Sequence, residues 1–456
     1  VRPQLLPTLS PGRSHGAARG YIHLSPGFSM RRASVVRGGR SVLYGHRGTG
    51  RSKPARRRVA AAISAVFLTL TACGTGPEGV LAPISASLVS PAASDVTMLV
   101  ATSRKPSGDP ATLFTGERSP ALSLTDLTIS IPPNRAPGTV EWPKKLPPDP
   151  QKDFAVLAAR NLSVPEAHKW LHAHNSNGHV LVFVHGFNNR YEDSVFRFAQ
   201  FVHDSRASVV PILFTWPSRA SVLGYNYDKE SANFSRTAFE RTLKALADDR
   251  SVTDVTVMAH SMGTWLAMES LRQMALEDGR VSPKIRNVIL ASPDLDVDVF
   301  GRQWTELGPK KPKFTITVSR DDRALAVSRL IAGNVDRVGQ ADPSKEPYKS
   351  KLQAAGITVL DLTDVKTADR LNHSKFAESP EIVQLLGAQL ASGQTLTDSR
   401  VGLGDELGLV VAGTVDTIGN AAASTVSAPV AAIEGKTNNA PPDELETILK
   451  GDATTQ

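Results

Sequence analysis

The stretch Val255-Thr256-Val257-Met258-Ala259-His260-Ser261-Met262-Gly263-Thr264-Trp265 constrains this chain more than any other. An apolar, β-rich run ends in a serine between small residues, and a helix-forming segment follows at once. A strand-to-helix turn of this kind lifts a serine hydroxyl off the end of a parallel sheet. The usual pattern is G-x-S-x-G. Here Ala259 replaces the first glycine, and its methyl group is small enough for the close approach the turn requires. On its own such a serine reads equally as a helix N-cap, so the residues that would serve a nucleophile carry the argument.

A nucleophilic serine needs a base, and with this turn the chain order is nucleophile, acid, histidine. Downstream of Ser261 there is a single histidine, His373, on a loop after the strand-like Ile357–Leu362. Two acids fit the order. Asp322 follows Phe314–Ser319 where a strand gives way to a helix, and Asp294 ends Val288–Asp294. Asp322 follows the second strand after the turn and is the favoured acid, with Asp294 the alternative or a pocket residue. Asp321 is a candidate N-cap for the helix beyond. The acid would hold the imidazole tautomer and stabilise the imidazolium. An oxyanion hole would take the Met262 N–H and a second N–H from the loop after an earlier strand. The wholly apolar Val180–Val184 leads into His185-Gly186-Phe187-Asn188-Asn189, which points to the Phe187 N–H. His185, Gly186, His260 and Trp216 are expected around the pocket, and Tyr225, Tyr227 and Asp228 as part of a lid.

Strand signals recur near 96–101, 126–131, 154–157, 179–185, 208–215, 253–259, 286–292, 313–319 and 357–361. Helix signals fall near 165–173, 190–204, 231–247, 262–277, 323–332 and 379–391. This alternation predicts an α/β fold with a mostly parallel central sheet and helices on both faces. Pro132 to Pro150 reads as an extended segment on the surface.

Together these residues resemble the α/β-hydrolase superfamily. More narrowly, the chain is similar to a bacterial hydrolase family of unassigned function with a variant A-H-S-M-G turn. The likeness is carried by Val100–Arg104 with Gly116–Ser119, Ser130–Pro133, Phe183–Asn188, Phe214–Ser218, Ser292–Asp296 and Asp322–Leu325, and covers roughly residues 95 to 390. It implies a serine esterase- or lipase-like fold and fixes no substrate.

The formal net charge of +8 belongs to the N-terminal part. Residues 1–72 hold 13 Lys and Arg and no acid, and the remaining 39 basic against 44 acidic residues give −5. The basic balance is therefore no argument for nucleic-acid binding. Lys53–Arg58, an apolar run from Val59 to Leu70 and then Leu70-Thr71-Ala72-Cys73 read as a secretory leader over 1–72. Cys73, the sole cysteine, resembles the modified cysteine of a bacterial lipobox. The apolar run is too short for a membrane span of about 20 residues. The part before about residue 50 is too long for an n-region, and Met30 or a later codon is a candidate start. Residues 73–94 read as a tether, 95–392 as the hydrolase domain and 393–456 as an Ala/Gly-rich tail, with Val401 to Val415 loosely amphipathic.

His168 and His172 are four apart, but with no cysteine or H-E-x-x-H arrangement nearby they read as a solvated helix end rather than a metal site. No metal or organic cofactor is expected. The functional expectation is a lipid-anchored cell-envelope hydrolase that cleaves a carboxylester or lipid ester through an acyl-enzyme on Ser261, with the membrane reached through Cys73. The alternatives are an acyltransferase using the same triad and a non-catalytic scaffold that keeps the fold.

Overall fold

The computed structural model describes residues 77–392 and the short strand Val411–Ala412. The leader, Cys73 and the remainder of the tail lie outside the described residues. Three strands come first: β1 (Ser94–Pro106), β2 (Phe114–Ile131) and β3 (Ala155–Leu162). Alternation then begins with α1 (Val164–His174), β4 (His179–Val184), α2 (Tyr191–Ser205), β5 (Val210–Thr215) and α3 (Tyr225–Asp248). It continues through β6 (Asp254–His260), α4 (Gly263–Asp278), β7 (Ile285–Ala291), α5 (Val297–Glu306), β8 (Lys313–Val318) and α6 (Arg323–Ile331). The last elements are α7 (Tyr348–Ala354), β9 (Thr358–Asp361), α8 (Lys375–Glu378), α9 (Pro380–Ser392) and β10 (Val411–Ala412).

The strands form one sheet in the order β10-β9-β8-β7-β6-β4-β5-β1-β2-β3. From β1 to β9 across the middle every pairing is parallel, while β2, β3 and β10 run antiparallel to their neighbours. The central strands are largely buried and mostly apolar because both faces are covered. In β4, Val180, Val182 and Val184 join one core cluster with Trp170, Phe239 and Leu266, from α1, α3 and α4. Leu181 and Phe183 face the other way, into a cluster with Phe198 of α2 and Leu386 of α9. The period-two alternation of side chains thus feeds two cores from one strand. Register keeps it so: Val182 pairs with Ile212 on one side and Val257 on the other. Burying each such side chain contributes roughly 1.5–3 kcal/mol, so an acid at Val182 would unseat one whole face.

Local chemistry opens the helices. At α1, Glu166 reaches back to accept the Ser163 N–H at 2.8 Å, as a capping box requires. At α5, which the sequence reading did not anticipate, Asp296 accepts from the Asp298 and Val299 N–H groups. The hairpin β1–β2 is also longer than its expected strands, and α7 is a further short helix before β9.

The segment read as a tether is folded from residue 80 onward. Val80 and Leu81 are completely buried, and Leu81 and Ile84 donate to the Ala111 and Val156 carbonyls. Their apolar side chains bind them to the domain more strongly than the surrounding small residues loosen them. Within the tail, Val411 and Ala412 pair with Leu360 and Val359 and extend the sheet beyond β9. The proline-rich segment carries Trp142 against Phe196, with ring centroids 5.1 Å apart.

Candidate active site

Ser261 lies between β6 and α4 with a positive φ of 53°. That left-handed conformation costs a non-glycine residue of order 1–3 kcal/mol. Hydrogen bonds hold it there. Ser261 N–H donates to the Ala291 carbonyl at 3.0 Å, and the Ser261 carbonyl accepts from the Thr264 N–H, the Asp294 N–H and, at 2.6 Å, the Thr264 hydroxyl.

Two glycines let the neighbouring loop press against this turn. A Cβ on Gly186 would meet the Ser261 Cβ at 2.7 Å, and one on Gly263 would meet the His185 carbonyl oxygen at 2.3 Å. The loop brings Phe187 beside Ser261. Among the described residues, neither the Phe187 N–H nor the Met262 N–H donates to a protein acceptor.

Beneath the loop sits a buried polar hub. The His185 ring stacks on Trp216, with centroids 4.8 Å apart and planes 12° from parallel. His185 Nε2 accepts the Trp216 N–H at 3.1 Å, so Nδ1 carries the proton and donates to the Gly186 carbonyl. Burial, reinforced by the Arg104 charge, pushes His185 down to about 3, which keeps it neutral. Arg104, itself buried, donates to Thr215 Oγ1 and to the Ser218 and Asn189 carbonyls. Burial lowers its pKa to about 10. Asp228 completes the support by accepting from the Ser218 hydroxyl and the Arg219 and Asn188 N–H groups.

His373 Nδ1 lies 2.7 Å from Asp322 Oδ2. An ionised carboxylate only accepts, so Nδ1 carries the proton and Nε2 is left as the basic nitrogen. Burial disfavours the charged ring, but the charge and hydrogen bond of Asp322 outweigh it and raise the His373 pKa above the ordinary histidine value. Burial draws the Asp322 carboxyl upward as well, against the pull of His373 and the Leu325 N–H. Asp322, not Asp321, caps α6: its Oδ1 accepts the Leu325 N–H at 2.9 Å. Asp321 instead binds Lys375 Nζ, the Ser319 hydroxyl and the Asn372 amide.

Asp294 is committed elsewhere. Its carboxylate accepts from the Ser328 hydroxyl at 2.5 Å and the Tyr225 hydroxyl at 3.1 Å, and Arg337 Nε lies 3.3 Å away. The His373 loop is held from three sides. Asp369 accepts the Leu371, His373 and Ser374 N–H groups. Arg323 N–H donates to the Leu371 carbonyl, and His260 Nε2 lies 3.2 Å from the His373 carbonyl, to which it donates. His260 is driven well below the ordinary histidine range by burial and by the neighbouring His373, so it is a neutral tether.

One cavity of about 660 Å³ gathers Ser261, His373, Phe187, His260 and Asp294. No hydrogen bond joins Ser261 to His373 among the described residues, a looseness common in sites without substrate. Trp142, Val222, Tyr225 and Ile331 give it apolar walls, and Asp193, Arg197 and Glu378 a charged end. Burial pushes Asp193 up to about 6. Three expected pocket residues lie elsewhere: His185, Gly186 and Trp216 sit under the cavity as its support, because their polar atoms are used inside the hub. The expected lid is likewise fixed structure. Tyr225 and Tyr227 begin α3, Tyr227 stacks under Arg219, and Asp228 is buried.

Residues 164–389 match the model of a family described as Alpha/beta hydrolase of unknown function (DUF900). Over those residues, just under half of the chain, the sequence is similar to that family. No curated protein matches the sequence significantly. Among solved structures, this α/β hydrolase is similar to one from Lactobacillus plantarum described as a cell surface hydrolase. The two share 12% identity, over 49% of this chain and 95% of that one, with a TM-score of 0.30. A gene product of Listeria innocua gives 11% identity over 49% and 96% of the two chains, TM-score 0.32. A fungal esterase from Rhizomucor miehei gives 13% identity over 73% and 90%, TM-score 0.30. The fold assignment rests on the strand order and the family match.

Sequence reasoning did not find Arg104, Asp369 or Lys375 as parts of the candidate site, and placed Asp228 in a lid rather than in the support beneath the loop. Arg104 and Lys375 act on partners distant in the chain, with Arg104 and His185 81 residues apart, whereas Asp369 binds N–H groups of its own loop. The one local sign was a charged residue closing the apolar run of β1, which in a sheet interior has to find partners.

Proposed function

We propose that this α/β hydrolase is a serine hydrolase that cleaves an ester through an acyl-enzyme on Ser261. The observation that carries the reading is the His373–Asp322 hydrogen bond opening on the same cavity as the strained Ser261 turn. His373 Nε2 takes the Ser261 proton as Oγ attacks the ester carbonyl, and Asp322 stabilises the imidazolium. The oxyanion is held by the Phe187 and Met262 N–H groups, each worth about 3 kcal/mol where such donors have been removed. The intermediate collapses, and the departing alkoxide takes the proton from His373. Water then attacks the acyl-enzyme, with His373 again as base, releasing the acid and restoring Ser261.

The apolar walls from Trp142, Val222, Tyr225 and Ile331 favour an ester with an apolar acyl or alcohol part. The proposal extends to placement: an exported lipoprotein of the cell envelope, anchored through Cys73. No described helix is long and apolar enough to cross a membrane.

The test is hydrolysis of a p-nitrophenyl ester series of increasing acyl length by the full chain, with the acyl-enzyme trapped for intact-mass analysis. The reading expects turnover and an acyl adduct, both lost in Ser261→Ala. Turnover that survives in Ser261→Ala would overturn it. Adding an alcohol acceptor shows whether water or a hydroxyl receives the acyl group.

A further inference from the structure

We propose that His168, His172 and Asp249 form a binding site for a divalent transition-metal ion of the zinc class, beside the turn that enters β6, whereas the cavity lies where β6 ends. His168 and His172 lie one turn apart on α1, the spacing that lets two imidazoles share a cation on one helix face. Their third partner comes from the turn between α3 and β6. His168 Nδ1 is 2.9 Å and His172 Nε2 is 3.3 Å from the same oxygen, Asp249 Oδ2. All three ligand atoms fall within 4.8 Å of one another.

The Asp249 carboxylate is prepared for this role. Its side chain is almost fully buried, and its other oxygen, Oδ1, accepts the Ser251 N–H at 2.8 Å and the Ser251 hydroxyl at 2.7 Å. Such outer partners orient a metal-binding carboxylate. Lys284 binds the Asp249 main-chain carbonyl, which leaves Oδ2 to the histidines. With metal–ligand bonds of about 2.0–2.1 Å, neighbouring ligand atoms in a tetrahedral or octahedral shell stand roughly 2.9–3.3 Å apart. Both imidazole–carboxylate edges already meet that spacing. The imidazole–imidazole edge can adjust, because the two side chains are 61% and 51% exposed. Two imidazoles with one carboxylate favour zinc, cobalt, nickel or copper over magnesium or calcium. The exposed side leaves the remaining positions to water.

A bound ion would clip α1 to the turn that leads into β6. It would stabilise the folded chain, since the three ligands meet only there. None of the proposed hydrolytic steps involves it, so this site and the proposed function stand or fall separately.

The test uses the full chain stripped of metal by a chelator, titrated with cobalt(II) by visible absorption, then competed with zinc(II), beside thermal melts with and without zinc. His168→Gln, His172→Gln and the double variant change exposed side chains and keep the fold. The expected result is one equivalent of cobalt displaced by zinc, and a zinc-dependent rise in Tm for the wild type. Each single variant should bind about tenfold or more weakly, and magnesium should have no effect. Equal binding and an equal melting shift in the wild type and the double variant would overturn the proposal. So would no binding by the wild type, which would leave a histidine–aspartate contact without metal.

Discussion

The loops that follow β7 and β8 each present a buried acid near the proposed active site, and they do different work. Asp322, after β8, gives one oxygen to the Leu325 N–H and the other to His373. Asp294, after β7, lies among a hydroxyl from Ser328, a hydroxyl from Tyr225 and the buried Arg337. Burial is similar at the two, and both follow Ser261 in the chain. What separates them is the company of their oxygens. An acid orients a histidine only where one of its oxygens faces the ring; one that faces two hydroxyls and a guanidinium charge holds loops together. Asp294 does this by joining the start of α3 to α6 and to Arg337 in the segment between α6 and α7.

Replacing each acid by its amide should separate the two roles. Asp322→Asn should lower kcat/KM for an ester by as much as ~10⁴-fold, the effect of the same change in a serine–histidine–aspartate site, with little change in the melting curve. Asp294→Asn should do the reverse. It leaves Arg337 buried without its anion, which costs about 3–5 kcal/mol of stability in denaturant titration, and its effect on kcat/KM should be the smaller of the two. Tyr225→Phe removes one donor to Asp294 and should cost about 1 kcal/mol. If Asp294→Asn proves the more damaging to turnover, the assignments exchange.

Charge gives a further contrast. In the proposed role of base, His373 has to be neutral, and the Asp322 anion favours its protonated form. The acid limb of the pH–rate profile should therefore lie above the ordinary histidine value of 6.5. Removing the Asp322 charge should shift that limb to lower pH. Removing the Asp294 charge should shift it less, because its effect on His373 is smaller than that of Asp322.

The parallel core was legible because β4 to β8 are runs of apolar residues with helical periods between them, and a strand covered on both faces admits little else. The edges were harder. Gly116 and Pro120 interrupt β2, which hid the long hairpin. The tether reading followed composition, whereas three apolar residues, Val80, Leu81 and Ile84, fix that segment to the domain. At the site, Ser261 and His373 could be named because one lies in a recognisable turn and the other is the only downstream histidine. Strand order favoured Asp322 over Asp294, but the physical difference between them lies in the identity of their neighbours, which chain order does not hold. The same limit hid Asp249 as a partner of His168 and His172, from which it is separated in sequence by the two strands β4 and β5 and by two helices.

The most direct test of the central claim is covalent labelling of the full chain with a fluorophosphonate probe, with the modified residue located by peptide mass analysis. The account predicts a single adduct on Ser261, absent in Ser261→Ala and strongly reduced in His373→Ala. A folded wild-type protein that takes no label, or that is labelled on another residue with Ser261 intact, would contradict it.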